Sequence, residues 1–250
     1  MPYFNRPLLV RKSLNSVLLA NEYHLDWELS FGDDNSKFPG KPIVEDVLKD
    51  HLGKINFYNS GLSFEEKIKS GLILGELANQ AIQKSDAEVG IILQDDDQLV
   101  PTYLKKLSDF FLNNPKVMYG YSKVHMYNPL YEDVDNVDNL DHKYNQWQTP
   151  INPVNKIDAS QLAFRLSCCK ECDAWFGETT LQVESMPWAK DTDKTFFENL
   201  YEKLGDASPI DVVGQYKAIH EYQLLWHKKT DENGLRHYCE MIESLAGKEF

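Results

Sequence analysis

Three consecutive carboxylates close an apolar run in this chain, Ile91-Ile92-Leu93-Gln94-Asp95-Asp96-Asp97, and Pro101 follows shortly after. An apolar run that stops at acids, ahead of a proline suited to a first helical turn, puts the carboxylates at the C-terminal tip of a buried strand. Open α/β sheets bind their ligands at that end of their strands. Adjacent aspartates repel one another, so the cluster calls for a divalent cation or a polar network to offset its charge. Hard carboxylate oxygens suit Mg2+ or Mn2+, and a metal held by one or two carboxylates usually holds phosphate as well. A solvated acidic turn is the competing explanation.

The flanking pattern supports a buried strand. Apolar residues at helical spacing from Pro7 to Ala20 predict an amphipathic helix, and the alternation Trp27-Glu28-Leu29-Ser30-Phe31 predicts a strand ending in the polar turn Gly32-Asp33-Asp34-Asn35-Ser36. A helix over 42–52, a strand over 54–58 and a helix opened by the capping box Ser63-Phe64-Glu65-Glu66 follow, the last lined by Ile68, Leu72, Leu77, Ala78 and Ile82. After the acids come a helix over 103–112, a strand over 117–124 and a second strand over 157–165. A helix opening at Asp191-Thr192-Asp193 would bury Phe196, Phe197, Leu200 and Leu204, with either aspartate able to cap it. Strands alternating with helices argue a mostly parallel sheet covered on both faces. Residues 126–156 show no sustained period and read as a binding loop or lid; Asp133, Asp135, Asp138 and Asp141 lie there, without the glycine an EF-hand needs.

Charge narrows the function. The net charge is −13, and no Lys/Arg cluster forms a basic stripe, which disfavours a direct reader of nucleic-acid phosphates. No run is long and apolar enough to span a bilayer and Met1 is not followed by a signal-peptide core, so the chain reads as cytoplasmic. Cys169 and Cys172 have C-x-x-C spacing, but the later His and Cys residues are too scattered for a zinc site, and reduced thiols are the better account.

Taken in order, Tyr3-Phe4-Asn5-Arg6-Pro7, Asp33-Asp34-Asn35-Ser36, Asp95–Asp97, Asp193-x-x-Phe196-Phe197 and His220-x-x-Gln223 resemble the motifs of family 2 glycosyltransferases. The resemblance implies an α/β GT-A fold, a mostly parallel central sheet flanked by helices with a C-terminal acceptor-side region. Residues 1–125 would form the nucleotide-sugar-binding half and 126–250 the acceptor-binding and catalytic half of the same domain, with a helical tail. It implies that Pro2, Tyr3, Asp33 and Asp34 contact the nucleotide, and that Asp95, Asp96 and Asp97 hold Mn2+ or Mg2+ on the sugar diphosphate, with His220 as a further ligand or a diphosphate contact. Lys67 or Lys69, on the helix before the metal strand, would pair with phosphate. The D-x-D reads as Asp95-x-Asp97 from the acids, or ends on Asp96 when counted back from Pro101.

The implied activity is transfer of a sugar from a nucleotide diphosphate donor, expected to be a UDP-sugar, to a glycan or other acceptor hydroxyl. The metal would offset charge on the leaving diphosphate, and Asp193, or failing it Asp191, would take the acceptor's proton in an inverting displacement. A nucleotidyltransferase of similar fold would bring a Gly-rich phosphate loop, absent from this sequence; a non-catalytic sugar-nucleotide or glycan-binding module would not need the acids at 95–97 and 193.

Overall fold

A computed structural model describes residues 1–20, 26–50, 53–127, 145–177, 192–218 and 232–246. The N-terminal part is a parallel three-stranded sheet in the order β1 (Pro2–Tyr3), β2 (Glu28–Asp33), β3 (Lys54–Asn59). Helices α1 (Pro7–Ala20) and α2 (Gly40–Val47) pack together beside it, burying Val10, Leu14 and Val44 against Tyr3, Leu29 and Phe31.

Between β3 and the acidic run the chain makes two helices, α3 (Phe64–Ser70) and α4 (Leu74–Lys84), where periodicity predicts one. The capping box at Ser63 and Glu66 forms as expected. Gly71 ends α3 at φ +85°, a left-handed conformation that glycine adopts without a Cβ penalty. The break lets the Ile73 N–H, at the mouth of α4, donate to Asp34 Oδ2 at 3.3 Å.

The second sheet is mixed, in the order β4 (Val89–Ile91), β7 (Leu162–Arg165), β6 (Tyr119–Tyr127), β8 (Ser208–Ala218), β5 (Gln98–Leu99). Its β6·β8 pair is parallel and the others antiparallel. The dividing point drawn at residue 125 falls inside β6. Helix α5 (Tyr103–Asn113) buries Tyr103, Leu107 and Phe111, and Thr102 before it has φ +68°. The strand expected over 157–165 is shorter because Asp158 and Gln161 form a capping box around a 3-10 turn, Ala159–Gln161. Helix α6 (Ser167–Lys170) follows β7. Helix α7 (Thr192–Leu204) buries Phe196, Phe197 and Leu200, the predicted face, around Phe164 and Phe176. Helix α8 (Glu232–Ala246) packs Leu235, Tyr238 and Ile242 on Phe4, Ile68 and Leu72.

Strand β8 has no counterpart among the predicted elements. Pro209 and Gly214 interrupt its apolar alternation, which hides the strand from periodicity.

Candidate active site

Asp95, Asp96 and Asp97 follow β4 in the turn that leads to β5, and all are buried. Two elements distant in sequence hold them. The first is the turn after β1, where Asn5 sits at φ +51°, a conformation asparagine tolerates better than most side chains. Asn5 N–H donates to Ser36 Oγ at 3.0 Å and its Oδ1 accepts from Phe38 N–H at 3.1 Å. That geometry aims the Phe4 N–H at Asp95 Oδ2, 3.2 Å away, and brings the Arg6 guanidinium across two acids. Nη2 lies 2.5 Å from Asp95 Oδ1, Nε donates to Asp95 Oδ2 at 3.2 Å, and Nη1 bonds Asp96 Oδ2.

The second element is the C-terminal end of β8. Ala218 N–H donates to Asp97 Oδ1 at 2.8 Å, and Lys217 Nζ stands 4.0 Å from Asp97 Oδ2. The same ammonium lies 2.8 Å from Asp158 Oδ1, which also accepts from the Ser160 N–H and hydroxyl. Two buried serines one helical turn apart on α1 fix the backbone: Ser13 donates to the Asp97 carbonyl and Ser16 accepts from the Leu99 N–H. Gln215 Nε2 ties β8 to the Ile92 carbonyl at 2.7 Å, and the Tyr127 hydroxyl reaches the Asp96 carbonyl at 3.2 Å.

Burial pushes Asp95 and Asp97 up to about 7, more than Arg6 and Lys217 pull them down. Burial also acts to raise Asp158, but Lys217 and Ser160 outweigh it and hold that carboxyl below its ordinary value. Lys217 is held well above the usual lysine range because Asp158 and Asp97 outweigh its desolvation. The three buried aspartates and the half-buried Asp158 therefore share two cations, the buried Lys217 and the half-buried Arg6. Asp97 Oδ2 has no hydrogen bond.

These residues answer the donor chemistry of a hard divalent cation. Asp97 offers a buried carboxylate oxygen without a hydrogen bond, whereas Asp95 is committed to Arg6 and the Phe4 N–H. Among the described residues no three acidic, His or Cys side chains are grouped to hold a metal. Arg6 bridges Asp95 and Asp96, whereas Asp97 faces Lys217 at 4.0 Å. His220 and Asp191 lie outside the described residues, as do Asp133, Asp135, Asp138 and Asp141.

The expected nucleotide contacts divide. The Tyr3 side chain is fully buried against Phe31, with its hydroxyl on the Phe38 carbonyl at 2.7 Å, so it belongs to the core instead of facing a ligand. Both oxygens of Asp33 accept backbone N–H groups, from Ser36 at 2.8 Å and Gly40 at 2.9 Å, so this carboxylate shapes the turn. Pro2 lines a cavity between the two sheets. Asp34 is fully buried; burial raises its pKa despite nearby Ser60, Lys67 and the Ile73 N–H. Lys67 donates to the Asn35 carbonyl at 3.0 Å and stands 4.4 Å from the Phe4 ring centre, and its own burial lowers its pKa.

Asp193 lies half-buried in the first turn of α7. Gly75, near the start of α4, explains how that turn is placed: a Cβ there would meet the Gly177 carbonyl oxygen at 1.7 Å and Thr192 Cγ2 at 2.5 Å. The Gly177 N–H in turn donates to the Thr192 carbonyl at 3.2 Å. The first turn of α7 is thus packed beside the first turn of α4, which caps Asp34.

Arg6, Lys217 and Asp158 were not assigned roles from sequence. A triple carboxylate at a buried strand end implies buried cations, and Lys217 closing an apolar strand is the signal that could have named one.

A parallel sheet beside a mixed one, with an acidic turn where the second begins, is the GT-A fold, the class of nucleotide-diphosphosugar transferases. S. aureus TarS 1-349 in complex with UDP-GlcNAc is similar at a TM-score of 0.64 and 17% identity, covering 88% of this chain and 57% of that one. A longer S. aureus TarS structure gives 0.61 at 15% identity, covering 91% and 38%. The mannosyltransferase PcManGT from Pyrobaculum calidifontis, in complex with GDP-Man and Mn2+, gives 0.57 at 12% identity, covering 99% and 71%. This chain thus spans roughly two fifths to three fifths of those two TarS chains. No curated protein matches it in sequence. The chain belongs to glycosyl transferase family 2, which matches residues 1–165. No helix among the described residues is long and apolar enough to cross a membrane.

Proposed function

We propose that this chain transfers a sugar from a nucleotide diphosphate donor, a UDP-sugar in the first instance, to an acceptor hydroxyl with inversion, in a reaction that requires Mn2+ or Mg2+. The observation that carries the reading is the charge imbalance of the acidic turn: Asp95, Asp96, Asp97 and Asp158 against Arg6 and Lys217, with Asp97 Oδ2 buried and without a hydrogen bond. Family membership and the nucleotide sugars bound by similar structures, UDP-GlcNAc and GDP-Man, agree with it.

Asp97 would hold the cation, with Asp96 beside it and His220 as a further ligand. A divalent cation there supplies positive charge to the diphosphate as it leaves. The chain's own residues do the rest. Arg6 and Lys217 counter the burial that pushes these acids up and hold them in place before donor arrives, so little reorganisation is needed at reaction. Lys67, beside Asp34 and the Asn35 carbonyl, offers a second cation near the expected nucleotide side. Asp193 accepts the acceptor's proton as its oxygen attacks the anomeric carbon from the face opposite the diphosphate, with Asp191 as the second candidate.

Hydrolysis and transfer from a panel of UDP- and GDP-sugars, with Mn2+ and then with chelator, tests the reading. Activity that survives chelation rejects the metal. Full activity in Asp193→Asn with loss in Asp191→Asn moves the base to Asp191, and a product of retained anomeric configuration rejects inversion.

A further inference from the structure

Residues 175–177 form neither helix nor strand, yet their backbone is bonded on both sides. The Trp175 carbonyl accepts from Asn199 Nδ2 on α7 at 2.7 Å. The Phe176 N–H donates to Asn79 Oδ1 on α4 at 3.0 Å, and the Phe176 carbonyl accepts from Asn79 Nδ2 at 3.2 Å. The Gly177 N–H then donates to the Thr192 carbonyl, at the start of α7. The bonds alternate between α7, α4 and α7, so this short strap ties one helix to the other. A side-chain amide carries an acceptor and a donor side by side, and one Asn can therefore satisfy both backbone groups of one residue, as a neighbouring strand would.

Asn79 lies one helical turn after Gly75 on α4, so the two share a face. Gly75 leaves room for the Gly177 carbonyl and Thr192, and Asn79 grips the residue before Gly177. Together they fix the strap at two successive positions against α4.

The Phe176 side chain carries that placement onto α7. Its buried ring lies against Phe196, with centroids 3.8 Å apart and planes inclined at 31°, and Phe164 meets Phe196 edge-on at 5.1 Å. Phe196 follows Asp193 by three residues, which puts both on one face of the helix. The Gly177 bond to Thr192 thus sets where α7 starts, and the Phe176 ring sets how the helix is turned about its axis. Without Asn79 the Phe176 N–H and carbonyl would lose their partners beside a buried side chain, and the strap would have to move to find others.

We propose that Asn79 is a positioning residue for sugar transfer: by holding the Phe176 backbone it places the first turn of α7, and so Asp193, relative to the mouth of α4 that caps Asp34. The inference rests on the reading of Asp193 as the base. Asn79 itself does no chemistry and touches the reaction only through the strap.

The test counts turnover against donor-binding sites. Asn79→Ala is compared with the milder Asn79→Asp, which keeps an acceptor for the Phe176 N–H but has no donor for its carbonyl, and with Gln80→Ala, whose amide bonds the exposed Glu76 at 3.2 Å. Calorimetric titration with UDP or GDP and Mn2+, whichever the donor panel selects, counts the sites, and kcat for transfer is divided by that count. Asn79→Ala is expected to lose about 10- to 100-fold in kcat per site at unchanged donor KM, the scale of an ångström's misplacement of a reacting group. Asn79→Asp should fall between it and the parent, and Gln80→Ala should match the parent. Hydrogen exchange at the Phe176 and Gly177 amides should quicken in Asn79→Ala, a readout independent of activity. Unchanged kcat per site in both Asn79 variants overturns the proposal. A loss of turnover matched by an equal loss of binding sites also overturns it, since Asn79 would then serve stability alone. Asp193→Asn measured alongside separates the two readings: full transfer there rejects the base, whereas its inactivity together with full turnover in both Asn79 variants overturns the positioning role and leaves the base in place.

Discussion

The Lys217 ammonium lies 2.8 Å from Asp158 Oδ1 and 4.0 Å from Asp97 Oδ2, so one buried cation serves an acid before β7 and an acid after β4. Its position at the end of β8 makes the two carboxylates neighbours although they are far apart in sequence. Removing it leaves both short of charge compensation in a dry site.

Lys217→Met should therefore destabilise the fold by about 3–5 kcal/mol, the cost of breaking a buried pair by deleting one partner. Lys217→Arg should recover part of the loss. Urea denaturation measures it, and a loss below about 1 kcal/mol would show that water or rearrangement compensates the acids instead.

Asp97→Asn separates binding from stability. The uncharged amide no longer has to be desolvated as an anion, so without metal this variant should be as stable as the parent at about pH 8 or more so. Its Tm should no longer rise on adding Mn2+ and a nucleotide sugar, because ligand stabilisation requires the ligand to bind. A normal Mn2+ response in this variant would remove Asp97 from the metal site.

The pH dependence follows from the direction of the shifts. Asp95 and Asp97 are raised from 3.8 to about 7, chiefly by burial. Groups raised in the folded state bind protons more tightly there than in the unfolded chain, so their contribution is fully present below about pH 4 and is lost as pH rises through about 7. Metal-free protein should melt higher at about pH 6 than at about pH 8.5, and Asp97→Asn should flatten that slope. Identical slopes in the parent and Asp97→Asn would contradict the assignment.

Gly75→Val tests the contact that seats α7. A side chain there runs into the Gly177 carbonyl oxygen and Thr192, backbone and helix start that cannot yield without moving. A cost of about 1–3 kcal/mol is expected from overpacking, with a larger proportional loss of transfer than Asp193-independent donor hydrolysis. Unchanged transfer in a folded Gly75→Val protein would uncouple this packing from the site.

Local signals were legible wherever the deciding interaction is local. The Ser63–Glu66 box forms as written, the α7 face buries Phe196, Phe197 and Leu200, and the acids do follow an apolar strand. The single helix predicted over the Ile68–Ile82 stretch breaks at Gly71, because a long-range bond from Ile73 to Asp34 is served by the interruption. Strand β8 escaped notice since its support is pairing with β6 and β5, not its own pattern. Tyr3 and Asp33 sit in motif positions, yet the first is core and the second a backbone cap.

By itself the sequence determined the family resemblance, the order of the elements and the need of a buried Asp95–Asp97 turn for positive charge. Only the tertiary structure decided where that charge comes from: Arg6 from the turn after β1 and Lys217 from the end of β8. Periodicity reports which face of an element is apolar, whereas the partner of a buried carboxylate is chosen by which distant backbones the fold brings within about 3–4 Å of it.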